Sequence, residues 1–204
     1  ADFVKFQTFN PDEMIIKTTE LANYQKNNLK KKISQYKMLK KYELNKKWYK
    51  NLIDFCKKNK IKFISSPFDI SSIHFLKKLN LDYVKIPSGE IDNYPYLIEI
   101  ASLKKKTILS TGMSTLNEID FALRTLLKFG LSKKKISILH CHTDYPSNIK
   151  DLNLNSIKTM KKVFKLQTGY SDHSMGITAP IVAAALGSEI IEKHLTLDKK
   201  LSGP

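Results

Sequence analysis

Arginine is almost missing from this chain: Arg124 stands alone among 35 basic residues, the rest being lysine, although the formal net charge is +16. Arginine is the side chain that forks onto guanine edges and phosphates. Its scarcity, and the spread of lysine over every prospective helix, argue against a nucleic-acid-binding surface. The runs Lys30-Lys31-Lys32, Lys104-Lys105-Lys106 and Lys133-Lys134-Lys135 fall at helix ends or connections, where solvated charge is ordinary. Cysteine is nearly absent too. Cys56 and Cys141 are too few for a disulfide scaffold and read as two reduced, buried thiols of a cytoplasmic protein. No apolar run approaches the ~20 residues that cross a bilayer, so no membrane partner is expected. The opening Ala1-Asp2-Phe3-Val4-Lys5 lacks the basic lead and apolar stretch of a secretory signal. It also lacks an initiator Met, and the sequence is expected to be an internal piece of a longer chain. A Gly-rich turn after the first strand, the mark of an open dinucleotide-binding sheet, is replaced by Thr8-Phe9-Asn10-Pro11.

What is present is an alternation. Short β-rich runs at 3–9, 62–66, 83–87, 107–110, 136–141, 165–170 and 189–193 are separated by stretches of helical period at 46–59, 71–79, 94–102, 115–129, 155–164 and 177–186. Tyr49, Leu52, Ile53 and Cys56 make one stripe of the first of these helices. Asp69 or Ser71 is a candidate cap for the second, and Ser114-Thr115 followed by Glu118 is a good start for a later one. The polar, lysine-rich segment 10–42 is expected to hold an extra helix. Strand alternating with helix, without a linker, predicts one α/β domain over 1–204. Seven strand–helix pieces fit an incomplete (β/α)₈ TIM barrel with something missing.

Polar residues crowd the ends of the strands, where such barrels carry their active sites. Lys5 and Lys85 each alternate with apolar residues inside a strand. A lysine facing a barrel interior is costly unless it meets an anion, and Ser66, Ser88 and Ser110 lie at neighbouring strand ends. On a solvent-facing side the same lysines would simply snorkel. His173 and His194 follow the last two strands, which would bring their imidazoles together as donors for a divalent metal. His140 and His142 flank Cys141 on one face of their strand and form a weaker pair. His74, on an amphipathic helix, reads as an ordinary structural residue.

The motifs Lys5-Phe6-Gln7-Thr8-Phe9, Ser65-Ser66-Pro67-Phe68, Lys85-Ile86-Pro87-Ser88-Gly89-Glu90, Ser110-Thr111-Gly112-Met113, Leu139-His140-Cys141, Tyr145-Pro146, Gly169-Tyr170-Ser171-Asp172-His173 and Ile191-Glu192-Lys193-His194, ending in Gly203-Pro204, occur in order along nearly the whole chain. Together they resemble the sialic acid synthases: N-acetylneuraminate synthase and its legionaminate and pseudaminate relatives. The resemblance implies condensation of phosphoenolpyruvate with an N-acyl amino sugar and water, with release of phosphate. It implies phosphoenolpyruvate binding by Lys5, Ser66, Lys85, Ser88, Ser110 and Ser171, and amino-sugar contacts from Gln7, Glu90, Thr143 and Tyr145. Glu90, His173 and His194 are the implied catalytic residues, with Mn²⁺ or Mg²⁺ held by His173 and His194. It also implies a homodimer. His142 departs from the pattern, since a smaller residue is usual there. The resemblance implies that strands 2 to 8 of the barrel are present, while the family's first strand with its glutamate, the last helix, the acid after Gly203-Pro204 and the C-terminal antifreeze-like domain are not in this sequence, so the piece alone is expected to be inactive. A related synthase of eight- or seven-carbon sugar acids, and a non-catalytic basic binding module, are the alternatives.

Overall fold

The computed structural model describes residues 1–29, 33–198 and 201. The Lys30-Lys31-Lys32 run and the Gly203-Pro204 pair lie outside them. Among the described residues seven strands form: β1 (Phe3–Thr8), β2 (Lys62–Pro67), β3 (Tyr83–Ile86), β4 (Lys106–Ser110), β5 (Ile136–Cys141), β6 (Gln167–Asp172) and β7 (Ile191–Lys193). All ladders are parallel. β1 pairs with β2, and β3 to β7 pair in sequence order. β2 and β3 lie side by side without a shared ladder.

The expected helices all form, as α4 (Tyr49–Lys58), α5 (Ile70–Lys78), α6 (Tyr94–Ser102), α7 (Leu116–Lys128), α8 (Ser156–Phe164) and α9 (Thr178–Ala185). The stretch 46–59 is not one helix: a 3₁₀ turn at Lys46–Trp48 leads into α4. Asp69, not Ser71, caps α5 by accepting from the Ser72 amide at 2.7 Å. Thr115 and Glu118 close a reciprocal capping box on α7. The 10–42 excursion holds α1 (Pro11–Met14), α2 (Asn23–Leu29) and α3 (Gln35–Tyr42). Two strand starts are later than expected. Lys165 caps α8 in a left-handed conformation (φ 51°), which delays β6 to Gln167. Ser188-Glu189-Ile190 is spent on turning into β7.

Period-two alternation sends one set of strand residues outward to the helices and the other inward. Val4, Phe6 and Phe63 join Tyr49, Leu52, Ile53 and Cys56 under α4, while Ile86, Leu109, Ile136 and Ile138 pack against α6 and α7. The inward set is a smaller apolar plug of Ile64, Ile108 and Leu139 with Phe3, Tyr83 and Ile190. Its membership shows the sheet's shape. Seven strands laid flat would hold β1 and β7 about 29 Å apart. Here Phe3 of β1 and Ile190, next to β7, share one cluster, and Lys5 reaches Glu192 at 3.6 Å. The sheet therefore curls, with its inner face enclosed.

Gly169 permits the curl at β6. A Cβ there would meet the Ile190 carbonyl oxygen at 2.4 Å and Leu139 Cδ2 at 2.6 Å. The carbonyl belongs to backbone that bonds the Tyr170 amide at 2.8 Å, so it has little room to yield. Gly169→Ala is expected to cost about 1–3 kcal/mol, the usual penalty for overpacking. A thermal melt checks this, and an unchanged midpoint would show that β7 shifts freely.

Candidate functional site

Above the apolar plug the inner face becomes polar. Lys5 of β1 and Lys85 of β3 point to the same place, where Glu192 of β7 meets both. Lys85 Nζ donates to Glu192 Oε2 at 2.9 Å, Lys5 Nζ lies 3.6 Å from Oε1, and Ser171 Oγ of β6 donates to Oε1 at 3.2 Å. Lys85 is buried, and burial pulls its ammonium below the ordinary lysine value, with Glu192 offsetting only part of the effect. Burial also opposes ionisation of Glu192. The charges of Lys85 and Lys5, with hydrogen bonds from Lys85 and Ser171, outweigh it and hold the carboxyl down to about 2. The cluster is thus two ammonium groups and one carboxylate, with one net positive charge in an enclosed place. Such a site attracts a small anion strongly, because the local dielectric is low.

Two histidines stand at the rim. His173 and His194 follow β6 and β7, and their ring centroids are 5.4 Å apart. Burial lowers both below the ordinary histidine value, His173 to about 4; for His194 the charge of Lys5 adds to the effect. Both are therefore neutral near pH 7, as a metal ligand must be. The His173 Nδ1 donates to the His142 carbonyl at 2.5 Å, which assigns the lone pair to Nε2. A ring bound at about 2.1 Å through its nitrogen has its centroid about 3.3 Å from the ion. Two rings that share an ion thus sit up to roughly 6.5 Å apart, and 5.4 Å fits. Among the described residues no group of three or more His, Cys, Asp and Glu is arranged around a common point.

Tyr145 completes the rim. Its ring stacks on His173 at 4.0 Å and meets His194 edge-on at 5.5 Å. Next to it the loop after β4 packs tightly. The Gly112 amide donates to Ser88 Oγ at 2.9 Å, Ser88 Oγ is 3.2 Å from Cys141 Sγ, and a Cβ on Gly112 would meet Thr143 Cγ2 at 2.7 Å. Ser88, Thr143 and Cys141 therefore share one corner. Cys141 and Cys56 are both free and buried. Ser66 and Ser110 are buried, and alternation puts them on the inner face above Ile64 and Ile108. Gln7, two residues past Lys5, is exposed at the mouth.

Several strand-end residues do not join the site. Ser65 faces outward and bonds Thr8 Oγ1 at 2.7 Å. His140 also faces outward, where its Nε2 meets the Leu152 carbonyl at 2.7 Å and its ring stacks on Tyr170. His142 turns Nδ1 to the Asp144 amide at 3.2 Å. His140 and His142 are thus not a metal pair, because the outer face of β5 is occupied by packing. Glu90 is not one of these outward residues: it closes the 3₁₀ turn Ser88–Glu90 that follows β3. Its carboxylate accepts from Asn93 Nδ2 at 2.7 Å, and burial pushes its pKa up against that bond. His74 pairs with Glu99 on the surface at 3.1 Å.

Two participants escaped the sequence reading. Glu192 was visible at a strand end, but nothing local marks it as the partner of both lysines. Tyr24 comes from α2 in the long excursion, and its ring lies 5.9 Å from Tyr145.

An enclosed parallel sheet with an anion-attracting cluster and two neutral imidazoles at its strand tips defines an α/β protein with a polar ligand site at the sheet's C-terminal rim. The chain belongs to the NeuB family, whose profile matches residues 1–204. It is 48% identical over its whole length to N,N'-diacetyllegionaminic acid synthase of Campylobacter jejuni and 44% identical to the enzyme of that name from Legionella pneumophila, covering 61% and 58% of them. It is similar, with a TM-score of 0.84 and 33% identity, to the crystal structure of N-acetylneuraminic acid (sialic acid) synthetase from Leptospira borgpetersenii in complex with citrate, covering all of this chain and 65% of that one. The chain thus spans about 60% of the length of the curated relatives it matches. Among the described residues no helix is long and apolar enough to cross a membrane.

Proposed function

We propose that the natural protein condenses phosphoenolpyruvate with an N-acylated amino sugar, consuming water and releasing phosphate, to make a nine-carbon sugar acid. The curled sheet is then seven strands of an eight-stranded barrel domain, of which residues 1–204 are a part. The observation that carries the reading is the convergence of Lys5 and Lys85 on a single enclosed point beside the His173–His194 pair. A trianionic donor suits two ammonium groups and a ring of hydroxyls, with Glu192 as their counterion when no donor is bound.

In this scheme Lys5 and Lys85, with Ser66, Ser88, Ser110 and Ser171, hold the phosphate and carboxylate of phosphoenolpyruvate. Tyr145, Thr143 and Gln7 line the mouth and orient the sugar. The donor's C3 bonds to the aldehyde carbon, whose oxygen becomes a hydroxyl. Water adds to C2, and the C2–O bond to phosphate breaks to leave a ketone. One water proton ends on the sugar oxygen and the other on phosphate. Glu90, whose carboxyl burial pushes up, is assigned to pass the proton to the sugar oxygen. His173 and His194 would hold Mn²⁺ or Mg²⁺, which would supply Lewis-acid polarisation of the aldehyde. Fixed charges of this kind need no reorganisation as charge develops, and they commonly make up the largest catalytic share.

The names of the two legionaminic acid synthases favour a diacetamido sugar as acceptor. Phosphate release is to be measured with the full-length protein, phosphoenolpyruvate and three acceptors: a 2,4-diacetamido hexose, N-acetylmannosamine and arabinose 5-phosphate. The expected order is diacetamido sugar first and arabinose 5-phosphate inactive. Turnover with arabinose 5-phosphate alone would assign the protein instead to the eight-carbon synthases.

A further inference from the structure

The two rim histidines are each preceded by a charged residue that faces the other way. Asp172 and Lys193 are register partners on β6 and β7, one position before His173 and His194. Alternation therefore places the pair on the outer face and both imidazoles on the inner face. Asp172 is 1% exposed and fully engaged: its carboxylate accepts from Lys193 Nζ in an ion pair, from Tyr170 Oη at 3.0 Å and from the Ser174 amide at 2.9 Å. Lys193 Nζ also donates to the Ser174 carbonyl at 2.8 Å, so it straddles the loop that carries His173.

This network sits where the sheet is weakest. β7 has three residues and partners only β6 in the described sheet. A strand so short has few ladder bonds to resist sliding, and a slip of one residue would turn His194 outward and bring Lys193 into the site. On the inner face Ile190, in the apolar plug, and Glu192, bound to Lys85 and Ser171, hold the first part of β7. Past it Leu195 and Leu197 are exposed, and Lys193, anchored in the buried Asp172 carboxylate, is the outer-face contact nearest to His194.

We propose that Asp172 and Lys193 form a register clamp, a positioning pair that sets the spacing of the His173 and His194 rings and through it the affinity for a divalent ion. This rests on the reading that those histidines bind such an ion. An ion pair that merely stabilised the fold would leave metal affinity unchanged once the protein is folded.

The test is Mn²⁺ binding to the full-length protein, followed by electron paramagnetic resonance, with kcat measured across Mn²⁺ concentration. Lys193→Met is expected to raise the Mn²⁺ Kd by about 10- to 100-fold, the usual effect of losing a group that orients a ligand, with kcat largely recovered at saturating Mn²⁺. Lys193→Arg should restore most of the affinity. Lys161→Met, which breaks the exposed Lys161–Glu189 pair of 2.9 Å, should change nothing. If Lys193→Met does not fold because Asp172 is left unpaired, the double variant Asp172→Asn/Lys193→Gln removes both charges and carries the measurement. Wild-type affinity in the folded clamp variants, with His194→Ala unable to bind, overturns the clamp alone. Undiminished Mn²⁺ binding by His194→Ala overturns the histidine reading and the clamp's role with it.

Discussion

Lys85→Met is expected to lower kcat/KM for phosphoenolpyruvate by about 100- to 1,000-fold, the scale on which a preorganised charge contributes to catalysis. It should also destabilise the protein by about 3 kcal/mol, the low end for removing one partner of a buried ion pair. The second figure needs no assumption about substrate. Lys85 is buried and its ammonium is 2.9 Å from Glu192, whose other charged neighbour, Lys5, is farther away at 3.6 Å. Truncation leaves a carboxylate in an enclosed place with one distant cation and one serine. The pH dependence follows from the Glu192 carboxyl, held at about 2 against an ordinary 4.5. Between these values the unfolded chain binds the extra proton, so the ion pair's contribution is full above about pH 4.5 and is lost as pH falls toward 2. The stability gap between wild type and Lys85→Met should therefore narrow steadily on acidification through that window. Urea unfolding at several pH values measures it, and a gap that is constant from pH 6 to 3 would remove Glu192 as the cause. Lys5→Met should show the same trend with a smaller gap, because its contact is longer and more exposed.

His194→Ala is the second large effect. Turnover in the presence of Mn²⁺ is expected to fall by at least about 100-fold, since Lewis-acid stabilisation amounts to several kcal/mol. Stability should change far less than for Lys85→Met, by on the order of 0.5 kcal/mol, because His194 as a whole is exposed past the end of β7 even though its ring is partly enclosed beside Tyr145 and His173. This split between activity and stability distinguishes it from Lys85→Met, where both fall together. Added Mn²⁺ should raise the melting temperature of the wild type by mass action and leave His194→Ala unmoved. A variant that keeps wild-type rates and the same metal response would refute the metal assignment of this pair. His173→Ala is expected to behave similarly, with a larger stability cost because its ring packs on Tyr145 and bonds the His142 carbonyl.

Where the sequence succeeded and where it fell short have a common physical root. Periodicity is a local property. The stripe Tyr49, Leu52, Ile53 and Cys56 is encoded within eight residues, and all four do pack under β2. Caps are equally local: Thr115 and Glu118 meet because they are three apart on a nascent helix. Strand starts after helix ends were less legible, because Lys165 takes the left-handed conformation that usually falls to glycine or asparagine, and a lysine carries no mark of it in its identity. The polar strand tips were also visible, but a strand has two faces, and a polar residue at its tip can serve either. Ser65, His140, Asp172 and Lys193 all belong to the outer layer, although each is adjacent to a residue of the site.

The sequence by itself therefore determined the alternating α/β plan, the absence of a disulfide framework, and a set of lysines, serines and histidines held at the ends of parallel strands. These follow from side-chain chemistry and short-range spacing. Only the tertiary structure decided which of them meet. The curl of the sheet carries β7 round to β1 and β3, so that Glu192 neutralises one of two lysines far away in sequence, and the excursion after β1 brings Tyr24 over Tyr145. No local pattern encodes such encounters, because they arise from closing the inner face over an apolar plug and from the cost of leaving a buried charge without a partner.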